Sequence, residues 1–157
     1  MAQLIVPAPG GRLVDVAKQH LAVLAIDQVG PAIARGAITV DGRPGAINQR
    51  LAAGERLAVV GALPDALVPS AAPLRIVVED DDLLVVDKPA GMHVHPLGAH
   101  RAGTLLNALL WHAGARPDDP WAAWRPRPAH RLDRGASGLL VIAKRAAIHD
   151  AIRALLA

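Results

Sequence analysis

Apolar positions change their spacing several times along the 157-residue chain, and each change marks an element. Leu13, Val16, Ala17, Leu21 and Leu24 recur at helical intervals, which predicts an amphipathic helix over about 12–24. Asp27 is the expected N-cap of a second short helix, and Gly36, after Arg35, its stop. Residues 37–40 then read as a strand, Asp41 and Gly42 supply hairpin-turn chemistry, and 55–60 read as another strand. From Pro64 to Pro73 the chain turns to Pro, Ala and Ser, the composition of a linker. Two further apolar runs, 75–79 and 83–87, are split by Asp80, Asp81 and Asp82, giving strand, acidic turn, strand. Thr104 caps a helix running to about Trp111, with Gly114 beyond it. Residues 115–129 carry Pro117, Pro120, Pro126 and Pro128 and read as loop. A buried strand is expected over 139–143. A last helix follows over 146–156, with Ile148, Ile152, Leu155 and Leu156 on one side. The pattern is α+β, without internal repeats: a helix–helix–hairpin unit over 10–62, a linker over 63–73, and a second unit over 74–157.

Composition narrows the classes. An apolar fraction of 52% with 20% charged residues suffices for a packed core, built from Leu, Val, Ile and Ala because Phe and Tyr are absent. The absence of Cys closes off a disulfide framework, a thiolate nucleophile and a Cys-based zinc site. The N-terminus lacks the basic and apolar regions of a signal peptide, and no apolar run reaches the roughly 18 residues of a membrane span, so a cytoplasmic protein without a membrane partner is expected. The net charge is only +3, but it is unevenly spread. Residues 122–157 hold Arg125, Arg127, Arg131, Arg134, Lys144, Arg145 and Arg153 against Asp133 and Asp150. Such an excess suits a polyanion, and it equally suits a solvated basic face.

Chemistry concentrates in the segment from His130 to Gly138, where Asp133 stands among Arg131, Arg134 and His130 on a glycine-containing turn before a strand. Cations nearby favour an ionised Asp133, and a fixed carboxylate can act as nucleophile or base. The two arginines suit phosphate. The same residues also allow a plain structural role in which Asp133 pairs with an arginine to close the turn. His93 and His95 have no clear third ligand at metal spacing, and Glu79 to Asp82 lack a rigid ligand loop, so no metal is expected. Trp111, Trp121 and Trp124 are candidates for either core packing or base stacking.

His130, Arg131, Leu132 and Asp133, followed by Ser137, Gly138 and an apolar strand ending in Ala143 and Lys144, resemble the catalytic motif of the RluA-type pseudouridine synthases. The run from Glu79 through Leu83, Val86, Lys88, Pro89, Ala90 and Gly91 to Val94, His95 and Pro96 is similar to that family's first motif, and Thr104 to Leu109 fits the helix after it. Gly135 and Ala136 stand where the pattern prefers an acidic residue and a threonine. The front unit resembles the small RNA-binding module of the S-four type. Gly36, Val40, Asp41, Gly42 and Arg43 carry that likeness, although the second helix holds no Lys or Arg before Arg35.

The resemblance implies isomerisation of uridine to pseudouridine in ribosomal or transfer RNA, without cofactor or metal. It implies Asp133 as the catalytic carboxylate. It also implies Arg131, Arg134, Arg35, Arg43 and Lys88 as RNA contacts, and His130, Ser137 and Gly138 as residues that shape the loop. The catalytic domain of the family is about twice as long as the part represented here and includes a base-packing tyrosine. The resemblance therefore implies a mixed or antiparallel sheet domain that is truncated or completed by a second chain. The alternative function is an RNA-binding fragment without catalysis.

Overall fold

The computed structural model describes residues 2–157. The front part holds β1 (Gln3–Ile5), β2 (Gly11–Arg12), α1 (Leu13–His20), α2 (Ile26–Ala34), β3 (Ile38–Val40), β4 (Arg43–Pro44), β5 (Arg50–Leu51) and β6 (Arg56–Val59). The second part holds β7 (Ile76–Glu79), β8 (Leu83–Lys88), α3 (Leu105–His112), β9 (Arg127–Pro128), β10 (Gly138–Ala143) and α4 (Ala146–Leu156). Every strand pairing is antiparallel: one sheet runs β1-β6-β3-β4, another β7-β8-β10-β9, and β2 with β5 forms a small ribbon. The fold is α+β.

Local chemistry explains most element ends. Asp41 (φ 46°) and Gly42 (φ 81°) sit between paired Val40 and Arg43, a two-residue turn that needs positive φ at both positions. The α3 N-terminus is a reciprocal capping box in which the Thr104 side chain accepts from Asn107 N–H and the Asn107 side chain accepts from Thr104 N–H. The β7–β8 turn is closed by Asp80, whose carboxylate accepts from the backbone N–H groups of Asp82 and Leu83 at 2.8 Å each.

Several expectations are corrected. Asp27 lies inside the first turn of α2, and the N-cap is Ala25. The first helix stops at His20. Strand β1, which carries too few residues for its pattern to show, adds an edge to the front sheet beside β6. β10 is half-buried rather than buried: Leu140, Ile142 and Ala143 face the core while Leu139 is exposed. α4 spans the expected residues but buries none of them, and Leu155 and Leu156 stand in solvent.

Two hydrophobic clusters meet at α3. Leu105 and Leu109 pack with Leu84, Val86, Leu140 and Ile142 under the second sheet. Leu110 of the same helix and its C-cap residue Ala113 join Trp121 and Ala122 in the cluster formed by α1, α2, β3 and β6. Residues 63–73, expected as a linker, run along this junction. Leu63, Ala66 and Leu67 pack into the front cluster, Leu67 N–H donates to Val23 O at 2.8 Å, and Ser70 N–H donates to Asn107 O at 3.0 Å.

Arg125 ties the two parts together. Its guanidinium donates to the carbonyls of Lys18, of Leu24 (2.7 Å) and of Leu21 (3.0 Å). Next to it Ala122 N–H donates to His20 O at 2.8 Å. The last carbonyls of a helix have no intrahelical partner, and a cation there also complements the helix dipole, so this segment satisfies carbonyls at the C-terminal end of α1, at its C-cap Leu21 and in the turn beyond. Arg125 is buried and its pKa is pushed down to about 10, first by desolvation and then by Arg127. The basic excess of 122–157 is therefore partly internal. Lys144 is also buried, bonded to Asp80 O at 2.6 Å and paired with Glu79 at 2.9 Å, and Arg145 pairs with Asp82.

Candidate active site

The register of β8 and β10 brings the two sequence motifs together. Lys88, the last residue of β8, lies opposite Gly138, the first of β10, so the turn after β8 and the loop before β10 emerge at one end of the sheet. Two reciprocal contacts then join them: Gly91 N–H donates to the backbone carbonyl of Arg134 at 2.7 Å, and the Arg134 side-chain Nε donates to Gly91 O at 3.2 Å. Gly91 holds φ 90°, a conformation that costs a side-chain-bearing residue.

Lys88 is fully buried beneath this contact, which removes it from the expected RNA contacts. Its ammonium donates to Pro89 O and Met92 O at 2.8 Å and reaches Arg134 O at 3.4 Å. Burial lowers its pKa, and a buried charge persists only where such partners satisfy it. Lys88 thus clips the turn at 89–92 to the loop that carries Asp133.

Above the clip lies a cleft of about 260 Å³. Its walls are His93 to Leu97 from the first motif and Arg131 to Arg134 from the second. Asp133 is exposed on this cleft, and its backbone carbonyl closes a turn by accepting from Ala136 N–H at 3.0 Å. Among the described residues no ion pair or side-chain hydrogen bond engages its carboxylate, so the turn-closing Asp–Arg pair allowed by the sequence does not form. A carboxylate displayed this way is free to meet a ligand.

The other candidates fall into three groups. Arg131 and Arg134 are exposed at the cleft beside Asp133. His130 turns away: its Nε2 accepts from Val141 N–H at 3.2 Å, while Ser137 is exposed and Gly138 begins β10. Arg35, at the end of α2, and Arg43, on β4, are exposed on the front part, and neither lines the cleft.

The sequence offers His95 as part of the first motif and as a metal ligand lacking a third partner; the structure places it in a wall of the cleft. Its signal was position: it follows β8 within the same motif that Lys88 anchors. Desolvation and then the Arg131 guanidinium lower the His95 pKa, which leaves the ring neutral at pH 7. The His93 ring packs instead against His100, with centroids 5.3 Å apart. Among the described residues no group of three or more His, Cys, Asp or Glu side chains is placed to hold a metal ion, and no helix is long and apolar enough to cross a membrane.

A carboxylate free of protein partners, flanked by exposed arginines at one end of an antiparallel sheet, defines a site suited to a polyanionic substrate. Residues 82–157 match the family model described as RNA pseudouridylate synthase, and this part of the chain belongs to that family. The chain is 46% identical over 86 residues to the ribosomal large subunit pseudouridine synthase D of Zymomonas mobilis, covering 55% of this chain and 27% of that protein. It is 39% identical over 139 residues to an uncharacterized RNA pseudouridine synthase of Chlorobaculum parvum, covering 86% and 42%. Against the ribosomal large subunit pseudouridine synthase D of Neisseria meningitidis serogroup B it is 38% identical over 138 residues, covering 86% and 36%. The chain thus spans less than half the length of these relatives.

Proposed function

We propose that this chain carries the uridine-isomerising site of an RNA pseudouridine synthase, with Asp133 as its catalytic carboxylate. The observation that carries the reading is the cleft in which both family motifs meet around an unpaired Asp133. In the reaction the bond from C1′ of ribose to N1 of uracil breaks and the base rotates. A bond from C1′ to C5 forms, the hydrogen on C5 leaves as a proton, and N1 takes up a proton in its place. The carboxylate serves this sequence at the sugar, either by meeting the positive character that grows at C1′ or by removing a neighbouring proton. Only a base turned out of its stack reaches such a cleft, at a cost of roughly a few kcal/mol. Arg131 and Arg134, exposed on either side of Asp133, offset that cost by holding flanking phosphates.

In this reading residues 10–62 act as an S-four-like RNA-binding module, with Arg35 and Arg43 as its contacts, and 74–157 contribute part of the synthase domain. The substrate is structured ribosomal or transfer RNA, acted on in the cytoplasm, and a second chain completing the domain belongs to the same reading. RNA binding without turnover is the second reading, favoured by the exposed Arg131 and Arg134, which no carboxylate pairs among the described residues and which suit phosphate whether or not Asp133 reacts. Incubation with unmodified ribosomal RNA transcripts, followed by digestion and chromatography of the nucleosides, separates the two. Pseudouridine that appears with the unaltered chain and not with Asp133→Asn is the expected result. Equal RNA binding by both proteins with no pseudouridine from either supports the second reading.

A further inference from the structure

The cleft at Asp133 shares part of its wall with a second cavity. His95 and Pro96 also border a second hollow, of about 280 Å³, at the junction of the two parts. Leu24 and Ala25 of the front part form one side, and Leu106, Pro126 and Arg101 the other. Its size lies just below the usual range of small-molecule pockets, from about 300 Å³ upward, which leaves room for one nucleotide but not a duplex.

Three features narrow the occupant. The wall of Leu24, Leu67, Leu106 and Pro126 is apolar and suits the face of a base. Arg101 is exposed at the rim and donates one N–H to Asp65 O at 2.9 Å, which leaves further donors for a phosphate. Arg125, also on the wall, has its guanidinium nitrogens committed to α1 and the turn after it, so it holds the hollow in shape and adds positive charge. Because His95 and Pro96 line both cavities, an occupant of the hollow and a group that reaches Asp133 meet the same two residues.

We propose that the junction hollow binds the unpaired nucleotide adjacent to the uridine presented to Asp133, with its base on the apolar wall and its phosphate at Arg101. The inference rests on the reading of the Asp133 cleft given above and extends it. The front part then selects substrate not only through its own RNA surface but by supplying half of a base-sized subsite beside the reacting uridine.

The probe is a short fluorescein-labelled oligoadenylate with one central uridine, compared with copies that lack the base at each flanking position in turn. Binding is read by anisotropy for the unaltered chain, Ala25→Trp and Arg101→Ala. Both substituted residues are exposed, and unchanged melting temperatures verify that the variants fold. Removing the base at one flank is expected to weaken binding to the unaltered chain about tenfold and to leave Ala25→Trp, whose indole fills the mouth, unaffected. Arg101→Ala is expected to lower the slope of log affinity against log salt by about one. Equal binding of all flanks by the unaltered chain overturns the proposal, as does an Ala25→Trp variant that discriminates as the unaltered chain does. Tritium release from 5-tritiated uridine in unmodified ribosomal RNA transcripts, measured beside the binding series, tells the two claims apart. Release without a flank effect overturns the hollow alone. A flank effect without release retains the hollow as a nucleotide site and overturns the reading of Asp133.

Discussion

Replacing Arg125 by Ala removes a buried guanidinium from three backbone carbonyls at the end of α1 and in the turn that follows. Leu21 O keeps a weak bond from Leu24 N–H at 3.3 Å, and water can enter the vacated space beside the others. Hydrogen bonds to charged groups contribute roughly 1.5–3 kcal/mol each, and an orphaned buried acceptor costs about 1–3 kcal/mol. The three bonds share one side chain and do not add fully, so the expected loss is about 3–4 kcal/mol. Against a total stability of about 5–15 kcal/mol, that is a large fraction. At about 2–4 °C per kcal/mol for a chain of this size, the melting temperature falls by about 10 °C. Urea unfolding followed by tryptophan emission reports the change, since Trp121 and Trp124 lie beside Arg125. Arg125→Lys, whose single ammonium cannot span the same set of carbonyls, should recover less than half of the loss. A loss below about 0.5 kcal/mol in Arg125→Ala, the range of ordinary surface substitutions, would refute the assignment of Arg125 as the clasp between the two parts.

Lys88→Met keeps the bulk of a fully buried side chain but leaves the carbonyls of Pro89 and Met92 without their donor, while Arg134 O keeps the bond from Gly91 N–H. Turnover should fall at least tenfold with RNA affinity nearly unchanged, measured as the split between kcat and KM. An equal loss in affinity would contradict the clip. Leu109→Ala, at a site with no exposure, should cost about 2–5 kcal/mol by urea unfolding. Burial alone would raise the Glu79 pKa, but hydrogen bonds from Lys144 and then His112, with their charges, outweigh it, and the net direction is downward from 4.5. Its contribution to stability is therefore complete above about pH 4.5 and is lost as pH falls through the lower folded value. Glu79→Gln should flatten that acid limb in melts recorded across pH. The His95 imidazole should titrate below 6.5 by NMR, and Arg131→Ala should move the midpoint part of the way back, because desolvation is the larger cause.

The parts of the fold that were legible in the sequence are those set by local chemistry. Thr104 and Asn107 form the α3 cap, Asp41 and Gly42 form the turn between β3 and β4, and Asp80 to Asp82 form the turn between β7 and β8. Each is decided within a few residues. What escaped depends on distant partners. β1 is a three-residue strand that exists because β6 offers it an edge. The Pro/Ala/Ser stretch is a packed seam because Val23 and Asn107 bond its backbone. Arg125 and Lys88 look like ordinary basic residues, and only the fold reveals that the carbonyls around them need a donor. For the site, Asp133 and its arginines were legible as a motif. The wall contributed by His95 was not, since the pairing of Lys88 with Gly138 is what carries the first motif across to the second.

The central claim is that Asp133, displayed in the cleft where the two motifs meet, performs the isomerisation. Tritium release from RNA carrying 5-tritiated uridine measures the chemistry directly, because forming the C1′–C5 bond expels that hydrogen. The account predicts release by the unaltered chain that is abolished in Asp133→Asn while the melting temperature and RNA binding persist. Release that continues undiminished in Asp133→Asn would contradict it.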